Sequence, residues 1–224
     1  NLFRITQPLP ALFAAVENFR PNEVTKFLRV VSTFSFRHTI VTRQNPNELE
    51  PLYHDIATRI ANKTIKNASQ AWAVLRRVYP NDLKFIAAFS ELSIVTKGAR
   101  KKLAQYVLCK LEEGSDGQQL DWRAPMASIE HVLPENPSPY WHKAFPGDAY
   151  EDALYRLGNM ALLESSLNNQ VGNKDFSTKR KAYEKSKYVL AKSIAKHDAG
   201  WDTVSVDARQ KSMAARAATI WRID

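Results

Sequence analysis

The sequence predicts a mainly α protein: a helical bundle followed by a compact segment in which two short strands are embedded among helices. Three observations lead there. Only 7 of 224 residues are glycine and long alternating apolar–polar stretches are few, which argues against a β-sandwich or barrel. Through the first half, apolar side chains recur at spacings of three and four, the mark of one buried helix face. Past residue 119 the pattern changes to two short apolar runs separated by proline- and glycine-bearing loops.

Residues 8–41 read as helical, with Pro21 near a junction. Asn47-Glu48-Leu49 then opens a run whose apolar face is Leu49, Leu52, Tyr53, Ile56 and Ile60, with Pro46 near its first turn. Asn67 is placed to cap the next helix, which carries Trp72, Leu75 and Val78 and is stopped by Pro80. Asp82 starts another (Leu83, Phe85, Ile86, Phe89, Leu92), and a further helix spans Ala99–Leu111. Glu112-Glu113-Gly114-Ser115-Asp116-Gly117 is polar and helix-ending. It sets a boundary between a basic helical domain, 1–119, and a second domain, 120–224. There, Ser128–Leu133 suits a strand and Leu157–Leu163 the returning one. Asn136-Pro137-Ser138-Pro139 and Pro146-Gly147-Asp148 form the loops between them. Helix resumes from about Lys174, and Val204–Ile223 closes the chain by burying Met213, Ile220 and Trp221.

Composition narrows the functional classes. Hydrophobic residues at 44% are enough for a core, yet no stretch approaches 18 uninterrupted apolar residues, so a membrane span is not expected. Cys109 is the single cysteine: an internal disulfide is impossible, and with scattered histidines it cannot supply a four-ligand zinc site. The first residues are not a signal peptide, so a cytoplasmic location is the default and the two Asn-X-Ser/Thr matches at Asn62 and Asn67 are chance. The absent initiator Met reads as a piece cut from a longer chain. No Gly-rich phosphate loop occurs, so any nucleotide hydrolysis belongs outside this sequence.

Lys and Arg number 32 against 23 Asp and Glu, a net charge of +9 that favours a polyanionic partner. Residues 1–120 hold 17 basic and 10 acidic side chains. In the second domain Lys174, Lys179, Arg180, Lys181, Lys185, Lys187, Lys192 and Lys196 face only Asp175 and Glu184. Such a run is either a nucleic-acid surface or a solvated helix side.

The chemistry concentrates in Ile129-Glu130-His131-Val132-Leu133-Pro134, where an acid and a histidine adjoin. With Ile129, His131 and Leu133 on one strand face, Glu130 points the other way, but at a strand end both can reach one pocket. Downstream lie Gly158-Asn159-Met160-Ala161-Leu162-Leu163, then Leu167-Asn168-Asn169, then Asn173-Lys174-Asp175-Phe176. A one-metal phosphodiesterase needs such parts. A hard divalent cation takes a carboxylate (Glu130) and an amide oxygen, from Asn168 or its neighbour Asn169, and keeps several waters. One neutral imidazole, His131, then suffices to deprotonate water. Asn159 can hold the hairpin loop together and orient His131, while Lys174 and Lys179 can meet phosphate as point charges. His38, His54 and His197 lack ligand partners, and His142, beside Trp141, either packs or lies in the loop rather than binding metal.

These blocks, together with Lys179 and Tyr183, resemble the C-terminal domain of GmrSD-type, modification-dependent restriction endonucleases, members of the HNH or His-Me finger nucleases. The resemblance covers residues 120–224 well and the basic helical part more loosely. It implies a ββα-metal core embedded in helices, cleavage of double-stranded DNA that depends on Mg²⁺ or Mn²⁺, and a role in antiviral defence. His131 becomes the general base, Glu130 and Asn168 the metal ligands, Asn159 the structural asparagine, and Lys174, Lys179, Arg180 and Lys181 the nucleic-acid contacts. The implied partner is an N-terminal nucleotide-hydrolysing domain or subunit outside this chain. Two positions depart from the pattern. Met160 replaces the usual Leu, a volume-conserving change; Glu135 stands where Gln is common and adds negative charge near the phosphate path. The rival classes are a catalytically inactive DNA-binding or subunit-docking module, and an RNA-directed or toxin-like nuclease.

Overall fold

The computed structural model describes residues 2–123 and 127–223. Helix accounts for 64% of it and the described strands form one antiparallel hairpin, so the expected fold class holds. The chain divides into two compact units, Asn1–Ala88 with Trp221–Asp224, and Phe89–Ile220. The boundary expected after residue 119 falls inside the second of these.

In the first unit, α1 (Leu9–Asn18) packs on α3 (Glu50–Ala61), and α2 (Pro21–Ser35) on α4 (Ala68–Leu75). Pro21 sits in the first turn of α2, where its missing N–H has no partner to lose. The helical stretch 8–41 thus breaks at Pro21 as expected, and its second helix opens into a π-turn, Phe36–Val41. Leu49, Tyr53, Ile56 and Ile60 are buried as their spacing requires, among Phe27, Phe34 and Leu75. Each such side chain contributes about 1.5–3 kcal/mol on full burial. Asn67 caps α4, accepting the Gln70 N–H at 3.0 Å. Val78, expected on the same apolar face, is exposed because α4 tightens into a 3₁₀ turn, Arg76–Val78, whose shorter repeat rotates it outward. At α5 (Asp82–Ser90) the cap is Asn81, which accepts the Lys84 N–H at 2.9 Å, and Leu83 is exposed while Phe85 is buried.

In the second unit, α6 (Ala99–Asp116) packs on α12 (Thr203–Ile220). The hairpin pairs β1 (Ala127–His131) with β2 (Met160–Glu164), in a register that sets Glu130 opposite Ala161 and His131 opposite Met160. Between the strands run α7 (Pro139–Ala144) and α8 (Ala149–Leu154); after them come α9 (Ser165–Val171), α10 (Phe176–Lys185) and α11 (Val189–Ile194). β2 lies against α6 and α11, while α9 flanks both strands.

Four local expectations change here. The helix expected over Ala99–Leu111 does not stop at Glu112: α6 continues to Asp116 and is closed by a left-handed Gly117 (φ 77°). Its Glu112 is buried because the carboxylate accepts the backbone N–H groups of Val189 and Leu190 at the start of α11. The returning strand begins at Met160, since Leu157–Asn159 forms a 3₁₀ turn. Helix resumes at Ser165 rather than near Lys174. The closing helix ends at Ile220, itself only half-buried, while Met213 and Trp221 are buried as expected.

Candidate active site

The site is built around the end of β1. Asn159 ties the strand end to the turn before β2. Its Oδ1 accepts the Leu133 N–H at 2.8 Å and the Trp201 indole N–H at 3.2 Å, and its Nδ2 donates to Leu133 O and Leu154 O, both at 3.0 Å. Its backbone oxygen accepts the Val132 N–H as well. A fully buried amide with every side-chain hydrogen-bonding group engaged fixes the backbone immediately after His131. Gly158 precedes it for a steric reason: a Cβ there would meet Val206 O of α12 at 2.3 Å. Gln210 of α12 accepts the Gly158 N–H at 2.9 Å, which closes that contact.

Glu130 is buried, at 3% exposed, although it lies on a strand whose neighbours Ile129 and His131 stay half-buried. The physical reason comes from α10. Lys179 Nζ donates to Glu130 Oε1 at 2.8 Å and to His131 O at 2.8 Å, and Tyr183 OH donates to the same Oε1 at 2.7 Å. Lys179 and Tyr183 stand four apart on one helix face, so both reach the strand. Burial pushes the Glu130 carboxyl up, opposed by the Lys179 ammonium, and pushes the Lys179 ammonium down, opposed by Glu130. The sequence reading made Lys179 a phosphate contact; here it is 0% exposed and committed to Glu130.

His131 faces a cleft of about 380 Å³ lined by Glu130, Glu135, Asn136, Asn168 and Asn173, among others. Burial pulls its imidazole down to about 4; Lys179 and Lys101 act in the same direction and Glu135 opposes them. A ring held neutral in this way is a proton acceptor at neutral pH. Asn168, on α9, donates through Nδ2 to Ser128 Oγ at 2.9 Å and to Ile129 O at 3.1 Å. Its Oδ1 receives no hydrogen bond from a described residue, nor does Glu130 Oε2. Asn169 is exposed and does not line the cleft. Lys174 and Lys181 are exposed and form no ion pair with a described residue, whereas Arg180 pairs with Asp198 at 2.9 Å and Glu184 at 3.5 Å. A larger cleft of about 480 Å³ lies in the first unit, lined by Arg20, Glu23 and Lys63 among others; it contains no histidine.

The free oxygens test the fit of a metal. Among the described residues no group of three or more His, Cys, Asp and Glu is placed to hold an ion. One carboxylate oxygen and one amide oxygen beside an open cleft are too few for a dehydrated cation, and they suit a hard divalent ion that keeps most of its water.

The family model of the GmrSD restriction endonucleases, C-terminal domain, matches residues 79–216, more than half of the sequence. The chain belongs to this family. Membership in the GmrSD C-terminal domains implies the nuclease domain of a restriction system, with DNA as the substrate class. All of the motif blocks read from the sequence lie inside the matched span. No curated protein matches the chain. No described helix is long and apolar enough to cross a membrane.

Sequence reasoning did not find Thr96, whose Oγ1 lies 3.2 Å from His131 Nε2, nor Tyr155, which donates to Glu135 Oε1 at 2.9 Å. Thr96 is far from every motif block in sequence, and Tyr155, three residues before Gly158, lies just outside the block it precedes. Lys179 and Tyr183 were visible, but their purpose was not: the signal was a Lys and a Tyr four apart, opposite a strand acid that had to be buried.

Proposed function

We propose that the second unit is an HNH-type, metal-dependent endonuclease centre that hydrolyses phosphodiesters of double-stranded DNA. The observation that carries this reading is the convergence on one cleft of His131, Glu130 and Asn168, each fixed by neighbours that leave one reactive atom over. His131 acts as general base, accepting a proton from the attacking water; burial keeps it neutral for that task. Glu130 Oε2 and Asn168 Oδ1 are the protein oxygens that would hold Mg²⁺ or Mn²⁺, which when bound supplies charge neutralisation at the phosphate and the leaving oxygen.

The remaining residues position. Asn159 fixes the strand end that carries His131. Lys179 binds both the Glu130 carboxylate and the His131 carbonyl, so it holds base and ligand in one register and opposes the upward push of burial on the Glu130 carboxyl. Lys174 and Lys181, with Arg180 once released from its surface acids, contact DNA phosphates. The basic helical part before the nuclease contributes further backbone contacts, and an N-terminal nucleotide-hydrolysing domain or subunit controls access. The setting is antiviral defence in the cytoplasm.

The test is plasmid cleavage by the purified chain. Cleavage should need Mg²⁺ or Mn²⁺, stop with EDTA and fall by roughly 10²–10⁴-fold in His131→Ala, the range of a lost general base. A protein that binds DNA with steep salt dependence but never cuts would instead be a docking module. Preference for RNA or single strands would reassign the substrate.

A further inference from the structure

His131 has a second layer of support that belongs to none of the motif blocks. Residues 93–96 run beside the end of α8: Ser93 bridges Arg156, and the Ile94 N–H donates to Tyr155 O at 2.9 Å. This places Thr96 Oγ1 3.2 Å from His131 Nε2. The same hydroxyl lies 3.5 Å from Glu135 Oε1, at the long end of hydrogen-bond range, with threonine as donor. Glu135 is itself held. Tyr155 OH donates to that Oε1 at 2.9 Å, and Tyr150 OH donates to the carbonyl oxygens of Pro134 and Glu135 at 3.0 and 2.9 Å. The Tyr155 ring stands edge-on to the His131 ring, centroids 6.0 Å apart at 85°.

A hydroxyl has one proton to give. Given to Nε2, it leaves the Glu135 carboxylate facing an oxygen lone pair, which is repulsive. Given to Glu135, it makes a charge-assisted bond and frees a lone pair to accept an Nε2–H. The second arrangement aligns both dipoles towards the carboxylate, so each bond polarises the other. We propose that Thr96 and Glu135 are positioning residues that select the tautomer of His131. The relay Nε2–H···Oγ1–H···Oε1 keeps the ring protonated at Nε2 and leaves the lone pair on Nδ1, to which no described residue hydrogen-bonds. Nδ1 is then the atom that takes the proton of the attacking water. The water oxygen bonds to phosphorus, and the ester bond to the leaving oxygen breaks. This rests on His131 being the base.

The tautomer can be read without cleavage. In the ¹⁵N-labelled full chain, free of metal and at neutral pH, long-range proton–nitrogen correlations distinguish a protonated ring nitrogen from a bare one. The His131 signals are those lost in His131→Ala. The expected result is Nε2–H in the native protein and in Thr96→Ser, and a mixture of tautomers in Thr96→Val. In cleavage assays Thr96→Val should lower kcat by roughly 10–100-fold, the cost of losing a group that orients a reactive imidazole, with KM little changed. Thr96→Ser, which keeps the hydroxyl, should recover most of the rate. An Nδ1–H ring in the native protein overturns the relay whatever the fate of the base assignment. So does Thr96→Val with native tautomer and kcat while His131→Ala is inactive. If His131→Ala cuts normally, the base assignment fails and the relay loses its catalytic meaning with it.

Discussion

Replacing Lys179 by Met tests how the site is held together. The ammonium makes two 2.8 Å hydrogen bonds, to Glu130 Oε1 and His131 O, and is 0% exposed. Met has a similar length and volume, so little cavity forms. What remains is a stranded carboxylate and an unpaired carbonyl. Breaking a buried pair by removing one partner costs about 3–5 kcal/mol. Tyr183 still donates to Glu130, so the lower half of that range is expected near neutral pH. The cost should also depend on pH in a defined direction. Burial already raises the Glu130 carboxyl, and the ammonium that opposes this is gone in the variant. A folded-state pKa above the unfolded one gives stability that is present at low pH and lost as pH rises through it. Lys179→Met should therefore approach native stability in acid and fall behind as pH rises. The double variant Glu130→Gln/Lys179→Met, with no stranded charge, should be more stable than Lys179→Met alone. Urea unfolding followed by tryptophan fluorescence measures all three. A loss below about 1 kcal/mol, the size of an exposed pair, with no pH dependence would refute the buried cluster.

Other outcomes follow from the same geometry. Gly158→Ala should destabilise the protein by at least about 1–3 kcal/mol, the usual cost of overpacking, because the new Cβ meets a backbone oxygen that cannot rotate away; a native urea midpoint would contradict the close approach of α12. With the His131 imidazole pulled down to about 4, protonation disables the base only well below the ordinary histidine value of 6.5. The acid limb of kcat/KM, which reports the free enzyme, should lie nearer 4 than 6.5, and a midpoint at or above 6.5 would count against the neutral, buried ring. Replacing Lys174 and Lys181 together by Gln should weaken binding to all DNA sequences alike and reduce the steepness of its salt dependence by about 2, near one phosphate contact per lysine. An unchanged salt slope would return both to the solvated face of α10 and its neighbouring loop.

The fold was legible where periodicity and capping act locally. Tyr53, Ile56 and Ile60 mark a helix face whatever surrounds them, and Asn67 caps α4 by a bond to a residue three positions on. Legibility failed where distant partners override local polarity. Glu112 reads as the end of a helix, yet two backbone N–H groups from α11 make its burial affordable and α6 continues. Val78 has the right spacing but the helix changes pitch before it. The candidate site divides in the same way. His131, Glu130, Asn159 and Asn168 come from adjacent or short-range motifs, and the cleft brings His131, Glu130 and Asn168 together. Lys179 was misread because a lysine in a basic run looks solvated until the buried acid opposite it is known. Thr96 carries no sequence signal, since its role depends on a bridge between residue 93 and residue 156.

Plasmid cleavage by the native chain and by His131→Ala, with and without Mg²⁺, bears most directly on the whole account. Metal-dependent cutting that disappears with the imidazole is the predicted result. Equal cutting by both proteins, or cutting that ignores chelation of the metal, would contradict it.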